Sequence, residues 1–124
     1  LWEELEKEAR GNHNHQVMSD LIMRIYFYWV NFGPMTRGTA ALGLIGLMAL
    51  FLASGLEVES VCTKGKQLDF ESIIGGDPDV FLKEHSEWLY PLLHKSTLLD
   101  QLPDMRTNVP NLRKLIEMLN ANTL

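Results

Sequence analysis

The chain has 124 residues, 46% hydrophobic and 22% charged, proportions that fit one folded domain and argue against a disordered or low-complexity chain. Its 11 Lys and Arg are outnumbered by 16 Asp and Glu, and the resulting net charge of -5 disfavours nucleic acid and anionic membranes as partners. The single cysteine, Cys62, excludes an intrachain disulfide, so burial of apolar side chains must stabilise the fold.

Two helices are predicted at the start of the chain. Residues 1–10 show the spacing of an amphipathic helix, and Gly11 is suited to end it. A second helix is predicted over 14–32, with either Asn12 or Asn14 as its cap. Its second half is almost entirely apolar, so we expect this helix to be buried.

A third helix is predicted over 39–54, the most hydrophobic segment of the chain, with Thr39 as its cap. Because the connection at 33–38 is short, we expect a buried antiparallel hairpin of 14–32 against 39–54, with the rest of the chain packed around it. The two backbones are expected to approach closely at the small residues of the third helix, Gly43, Gly46, Ala49 and Ala53.

The same uncharged segment suggests an alternative, a helical hairpin inserted in a membrane. Its 16 residues make a helix about 24 Å long, whereas the hydrocarbon core of a bilayer is about 30 Å thick. Because the segment is short and is diluted by glycine and alanine, we prefer a helix in the protein core and expect no membrane insertion.

Short elements are predicted after Gly55. Residues 56–61 and 67–70 alternate apolar and polar side chains around a turn at 63–66, which predicts one small β-hairpin. One helical turn is predicted at 70–74. The sequence thus indicates a mostly α-helical single domain, built around the hairpin of helices and carrying one small sheet.

Two further helices are predicted in the last third of the chain. The first covers 78–90, with Asp77 as its cap and a proline at its first position. Residues 92–108 look irregular apart from one short turn near 97–102, and Pro110 is predicted to open the last helix. The apolar face of that helix consists of Leu112, Leu115, Ile116 and Leu119.

No catalytic or metal-binding constellation is expected, and no cofactor. His13 and His15 are two residues apart, which places them on different faces of a helix. His85 lies on an apolar stripe, where we expect a hydrogen-bonded residue at the core boundary. Arg24 is expected to pair with Asp20, four residues earlier.

The strongest candidate for a binding site in the chain is the segment Arg37, Gly38 and Thr39. It precedes a helix, where unpaired amides, the helix dipole and a guanidinium together form a candidate pocket for phosphate or for a partner's carboxylate. The preferred interpretation is simpler: Arg37 caps a neighbouring helix or pairs with an acid such as Asp69 or Glu71.

Four segments together carry a family resemblance: YFYWVNFGPMTRGTAALGLIGLMALFLASGLEV, KGKQLDFES, EWLYP and NLRKLIEMLN. They resemble the C-terminal region of the tetratricopeptide repeat protein 13 family and its plant relatives, which suppress effector-triggered immunity. The most specific part is the motif formed by Pro34, Arg37, Gly38 and Thr39. The resemblance implies that a helical repeat array precedes this region, that the protein acts by binding other proteins, and that no catalytic residue is present.

A weaker resemblance, to Fic-domain enzymes, rests on a loop between two apolar helices and is carried by Pro34 and Gly38 alone. It implies that the catalytic histidine of that family is replaced by Gly33, its acidic metal ligand by Arg37 and its phosphate-binding arginine by Ala41. A degenerate Fic-like domain with a phosphate or nucleotide site at the Pro-x-x-Arg-Gly-Thr loop is therefore the enzyme-derived alternative, without catalysis.

The predicted function is a non-catalytic protein-interaction module. Because the chain starts at Leu1, we expect it to be a fragment of a longer protein. The resemblance implies that residues 1–124 form one domain at the C-terminal end of a repeat-containing scaffold or adaptor. Arg37 is the predicted contact residue, with Thr36, Gly38 and Thr39 shaping the loop. Other proteins are the expected partners, in an intracellular compartment, and the sequence leaves the oligomeric state open.

Overall fold

The computed structural model describes residues 1–60 and 65–121, and the described chain is mainly helical. Its elements are α1 (Trp2–Arg10), α2 (His15–Phe32), α3 (Thr39–Ala53), β1 (Leu56–Val58), α4 (Leu68–Gly75), α5 (Pro78–Leu89), β2 (Leu93–Lys95), α6 (Leu98–Gln101), α7 (Met105–Asn108) and α8 (Leu112–Ala121). One 3₁₀ turn, Tyr90–Leu92, links α5 to β2. The predicted mostly α-helical class is confirmed.

Side-chain caps begin two of the predicted helices as expected. The Asn14 side chain accepts hydrogen bonds from the backbone N–H groups of Gln16 and Val17, so Asn14 and not Asn12 caps α2. The Asp77 carboxylate accepts from the N–H groups of Asp79 and Val80 and starts α5. These caps satisfy backbone donors that the first turn of a helix leaves unpaired.

One predicted cap and one predicted helix start were wrong. Gly38 is the N-cap of α3, and Thr39 is its first residue, with its hydroxyl bonded to the loop. The last helix starts at Leu112 and not at Pro110, because the Asn111 side chain accepts a hydrogen bond from the N–H of Lys114 at 2.9 Å. In α3 the cap is the glycine before the predicted threonine, and in α8 it is the asparagine after the predicted proline.

The core is built around α2, which packs against α1, α3, α4 and α5. Its buried apolar residues meet Phe81 of α5, whose ring lies 5.5 Å from that of Phe27 and 6.4 Å from that of Tyr26. Burial of α2 on so many sides agrees with its nearly continuous apolar sequence. The buried apolar residues of α2 are Met18, Ile22, Met23, Tyr26, Phe27 and Val30.

The third helix is not surrounded as expected. Gly43, Leu47 and Phe51 of α3 face α2 and are buried, but the opposite side of α3 is exposed. Nothing in the sequence of α3 distinguishes the two sides, because both are apolar. The expectation that the rest of the chain wraps this helix is therefore wrong for its outward side.

The predicted β-hairpin was wrong in its pairing. Strand β1 pairs antiparallel with β2, with Leu56 opposite Lys95 and Val58 opposite Leu93. The expected partner, 67–70, instead begins α4, since Leu68 and Ser72 lie four residues apart and are buried on one helical face. The predicted turn at 63–66 lies partly outside the described residues, as does Cys62.

Candidate interaction surface

The loop between α2 and α3 is folded by its own backbone and by one side chain. Gly33 ends α2 with φ +53°, and Gly38 begins α3 with φ +79°, a left-handed conformation that glycine adopts without strain. The Thr39 hydroxyl donates to the carbonyl of Met35 at 3.0 Å and accepts from the N–H of Met35 at 3.3 Å. These bonds close the loop and leave Thr36 and Arg37 at its exposed tip.

Trp29 connects this loop to the two long helices. Its indole N–H donates to the carbonyl of Thr39 at 2.8 Å. Its ring also lies over Gly43, where a Cβ would come within 2.8 Å of the Trp29 Cδ1 atom. Of the four small residues expected at the helix contact, Gly43 is the one that a side chain of α2 requires; Gly46 has open space, and Ala49 and Ala53 are exposed.

Arg37 makes no hydrogen bond or ion pair with any residue in 1–60 or 65–121. The preferred prediction was that Arg37 caps a neighbouring helix or pairs with an acid such as Asp69 or Glu71, and neither contact is found among the described residues. Glu71 instead lies 3.9 Å from the amino group of Lys66. The guanidinium is exposed and available to a partner. An anion pocket at this helix start stays a prediction.

An apolar groove of about 270 Å³ runs between α2 and α3. It is open beside Gly46, where no side chain comes within 4 Å of the place a Cβ would take. The groove starts one turn after Thr39, so the Arg37 loop lies at one of its ends. Its lining residues from the two helices are Ile22, Ile25, Tyr26, Trp29, Leu42, Gly43, Gly46, Leu47 and Leu50.

Four apolar residues on the outward side of α3, Ala41, Ile45, Met48 and Leu52, form what we call the outer face of α3; the first three are exposed, and Leu52 is half-buried. Met48 and Leu52 line a shallow pocket together with Leu98 of α6. Ile45 is 62% exposed and Met48 is 45% exposed. No charged residue occurs between Arg37 and Glu57. This face was not predicted, because apolar residues lie on every side of α3.

A second apolar surface, which we call the α4 patch, consists of Phe32, Phe70, Ile73 and Ile74. Phe32 and Ile74 are each 79% exposed. Asn31 fixes α4 on α2 by donating to the hydroxyl of Ser72 at 2.9 Å and to its carbonyl at 3.2 Å. This contact turns the apolar residues of α4 outward, and the sequence analysis did not predict it.

The titratable side chains in the core have structural roles. His85 is fully buried, and its Nδ1 lies 2.7 Å from the carbonyl oxygen of Phe81, so it sits deeper than the predicted core boundary. The pKa of His85 is lowered, because the effect of burial is larger than the effects of the Phe81 carbonyl and of the nearby charges.

Polar partners at the edge of the core differ from those expected. Arg24 pairs with Asp79 and not with Asp20. Asp20 accepts a hydrogen bond from the hydroxyl of Tyr90, whose pKa is raised, first by burial and then by that carboxylate. In the described ranges, no three His, Cys, Asp or Glu side chains come together as a metal site would require.

No helix in residues 1–60 and 65–121 combines the length and the hydropathy needed to cross a membrane.

The comparisons with known proteins found two curated relatives. Suppressor of RPS4-RLD 1 from Arabidopsis thaliana is 39% identical over 82 residues, which cover 66% of this chain and 8% of that protein. Tetratricopeptide repeat protein 13 from Homo sapiens is 31% identical over 70 residues, which cover 56% of this chain and 8% of that protein. No family model and no solved structure matches the chain, and the resemblance to Fic enzymes is unsupported.

Proposed function

Because the chain is related to tetratricopeptide repeat protein 13 and its plant relative, as its sequence motifs predicted, we propose that it is a non-catalytic protein-interaction module. We further propose that it forms the C-terminal end of a repeat-containing scaffold. The matched region spans 8% of each relative, so the role of the whole protein is part of this proposal.

One observation supports the proposal most: an uncharged helix, α3, leaves its outer side exposed beside the α2–α3 groove. Contiguous apolar surface that a fold leaves in water favours association with another protein. A groove between two helices is suited to an amphipathic helix, whose apolar side chains are spaced to enter it. The partner proposed for the groove is therefore a helical segment with one apolar face.

Arg37 adds a charged contact at the end of this groove. Its guanidinium has no partner in the described part of the chain, so binding does not have to break an existing ion pair. A carboxylate on the partner would accept charge-assisted hydrogen bonds from it. Thr36, Gly38 and Thr39 would serve this contact by shaping the loop, since the Thr39 hydroxyl closes it on Met35.

The test compares proteins captured by the full-length parent with those captured by two variants. Gly46→Leu fills the open part of the groove, and Gly46→Ala is its matched control because it adds one methyl group to open space. Arg37→Glu reverses the charge at the loop. We expect the same partners to be lost or weakened with Gly46→Leu and Arg37→Glu and kept with Gly46→Ala; recovery of all partners by every variant would contradict the proposal.

A further inference from the structure

We propose that the outer face of α3 binds the same face of a second copy of this chain, with the two α3 helices antiparallel about a two-fold axis. The axis crosses α3 at the level of Gly46 and Leu47. This inference rests on the proposed function as an interaction module and names one partner of it. The α2–α3 groove stays open in the dimer, so each copy can still bind another protein through the apolar groove; Arg37 serves that protein in the free chain and the second copy in the dimer.

The spacing of the outer face is that of a helix-packing seam. Ala41, Ile45, Met48 and Leu52 follow one another at intervals of four, three and four residues, the a and d spacing of a coiled coil. They cover a length of about 17 Å along the helix. A seam of this kind is completed by a second helix. Within residues 1–60 and 65–121, Leu98 of the short helix α6 lies beside Met48 and Leu52, and Ile45 at the centre of the seam stays 62% exposed.

The sizes of the seam residues favour an antiparallel partner. In that register Ile45 lies opposite the partner's Met48, and Ala41 lies opposite the partner's Leu52. The small side chain is thus matched with a large one at both ends. A parallel pair would place alanine on alanine at one end and leave a gap, which close packing disfavours.

The charges at the ends of the seam favour the same arrangement. Arg37 and Glu57 bracket a stretch that carries no charge, and an antiparallel register brings Arg37 beside the partner's Glu57, twice by symmetry. Glu57 is exposed, and its carboxylate accepts one hydrogen bond from the Ser96 hydroxyl at 3.1 Å, so it retains capacity for a guanidinium. The two ion pairs would oppose the repulsion between copies of charge -5.

Sedimentation equilibrium of the purified chain over a wide concentration series tests the association. We expect a monomer–dimer equilibrium whose dissociation constant rises about 30-fold or more with Ile45→Glu, the range of a central interface residue. The matched control is Ile73→Glu in the α4 patch, since Ile73 is 55% exposed and belongs to α4 and not to the outer face of α3. Circular dichroism checks that each variant is folded. A wild-type chain that stays monomeric, or equal effects of both variants, would overturn the proposal.

Disulfide trapping tests the antiparallel register. In a Cys62→Ser background, Ala41→Cys and Leu52→Cys proteins are prepared separately, oxidised alone and oxidised as a mixture. The proposed register gives cross-linked dimers in the mixture and none from either protein alone, because equivalent positions lie about 16 Å apart along the axis. Cross-links from Ala41→Cys alone would show a parallel pair and overturn the register.

A charge exchange tests the ends of the seam. Arg37→Glu is expected to weaken the dimer, and Arg37→Glu combined with Glu57→Arg is expected to restore it, because each pair is rebuilt with its signs exchanged. No recovery in the double variant would overturn the predicted ion pair.

The two proposals fail separately. If the chain is monomeric but Gly46→Leu still abolishes partner capture, self-association is wrong and the interaction module stands. If the dimer forms as described and no variant changes partner capture, the groove proposal is wrong.

Discussion

Helices α5 and α3 bury their side chains for different reasons. In α5, Phe81, Leu82, His85 and Leu89 are buried, and the charged residues between them face water. The sequence of α5 therefore states which side faces the core. In α3 all sides are apolar, and the neighbouring elements, α2 above all, decide which side is covered. A uniformly apolar helix thus predicts that its surface makes contacts. It does not indicate how much of that surface is buried by the rest of the same chain.

The sharpest way to test this difference is to truncate one side chain in each helix. Phe81→Ala in α5 removes a fully buried ring and is expected to cost about 3–5 kcal/mol of unfolding free energy. Ile45→Ala on the outer face of α3 is expected to change it by less than about 0.5 kcal/mol. Urea denaturation of both variants at low protein concentration measures the two values. Equal losses would mean that α3 is buried on both sides.

The two glycines of α3 sharpen the comparison within one helix. Gly43→Ala places a Cβ against Trp29 and is expected to destabilise the fold by about 1–3 kcal/mol. Gly46→Ala meets open space and is expected to stabilise it by about 0.5–1 kcal/mol, since alanine favours a helix interior. Thermal unfolding gives the sign of each change. A loss of stability with Gly46→Ala would show that the groove side is covered.

The start of α5 provides a smaller effect. Asp77→Ala removes the acceptor of two backbone N–H bonds and is expected to cost about 1 kcal/mol. Asp77→Asn keeps an acceptor oxygen and should retain most of the stability. Chemical denaturation of the pair separates the role of the cap from that of the charge. A similar loss in both variants would assign the effect to charge.

The smallest expected effect is a pH dependence from His85. Its pKa is lowered from 6.5 in the folded state, first by burial, with the Phe81 carbonyl, Glu71 and Glu84 acting in the opposite direction and Lys66 adding to the lowering. The unfolded chain therefore binds the proton more readily, so stability is greatest above about pH 6.5 and falls as the pH decreases below it. Denaturation midpoints between about pH 7 and pH 5 measure the slope. His85→Leu should flatten the slope; an unchanged slope would assign it to other groups.

Local features of the fold were predictable, and distant pairings were not. The caps at Asn14 and Asp77 and the extent of α5 follow from residues close together in the sequence. The partner of Arg24, by contrast, lies 55 residues away at Asp79, and no local pattern identifies it. The same holds for β1, whose alternating residues predicted a strand but could not show that its partner follows α5.

The sequence singled out the Arg37 loop and the apolar helix after it, and the role of that loop as a site stays a prediction. The sequence favoured an internal partner for Arg37, whereas the described residues leave the guanidinium exposed. It could not separate the buried side of α3 from the outer face, because hydrophobic residues carry that information only when polar residues alternate with them. The α4 patch was missed because its orientation depends on the bond between Asn31 and Ser72, 41 residues apart.

The pairing of β1 with β2 has a consequence for how the molecule unfolds. By joining Val58 to Leu93, it closes a ring of chain that contains both α4 and α5. One entropy cost is paid when the strands pair, and this single closure restricts all the residues between them. While β1 and β2 stay paired, neither α4 nor α5 can unfold from a free chain end. Helix α1 lies outside the ring and can unfold on its own.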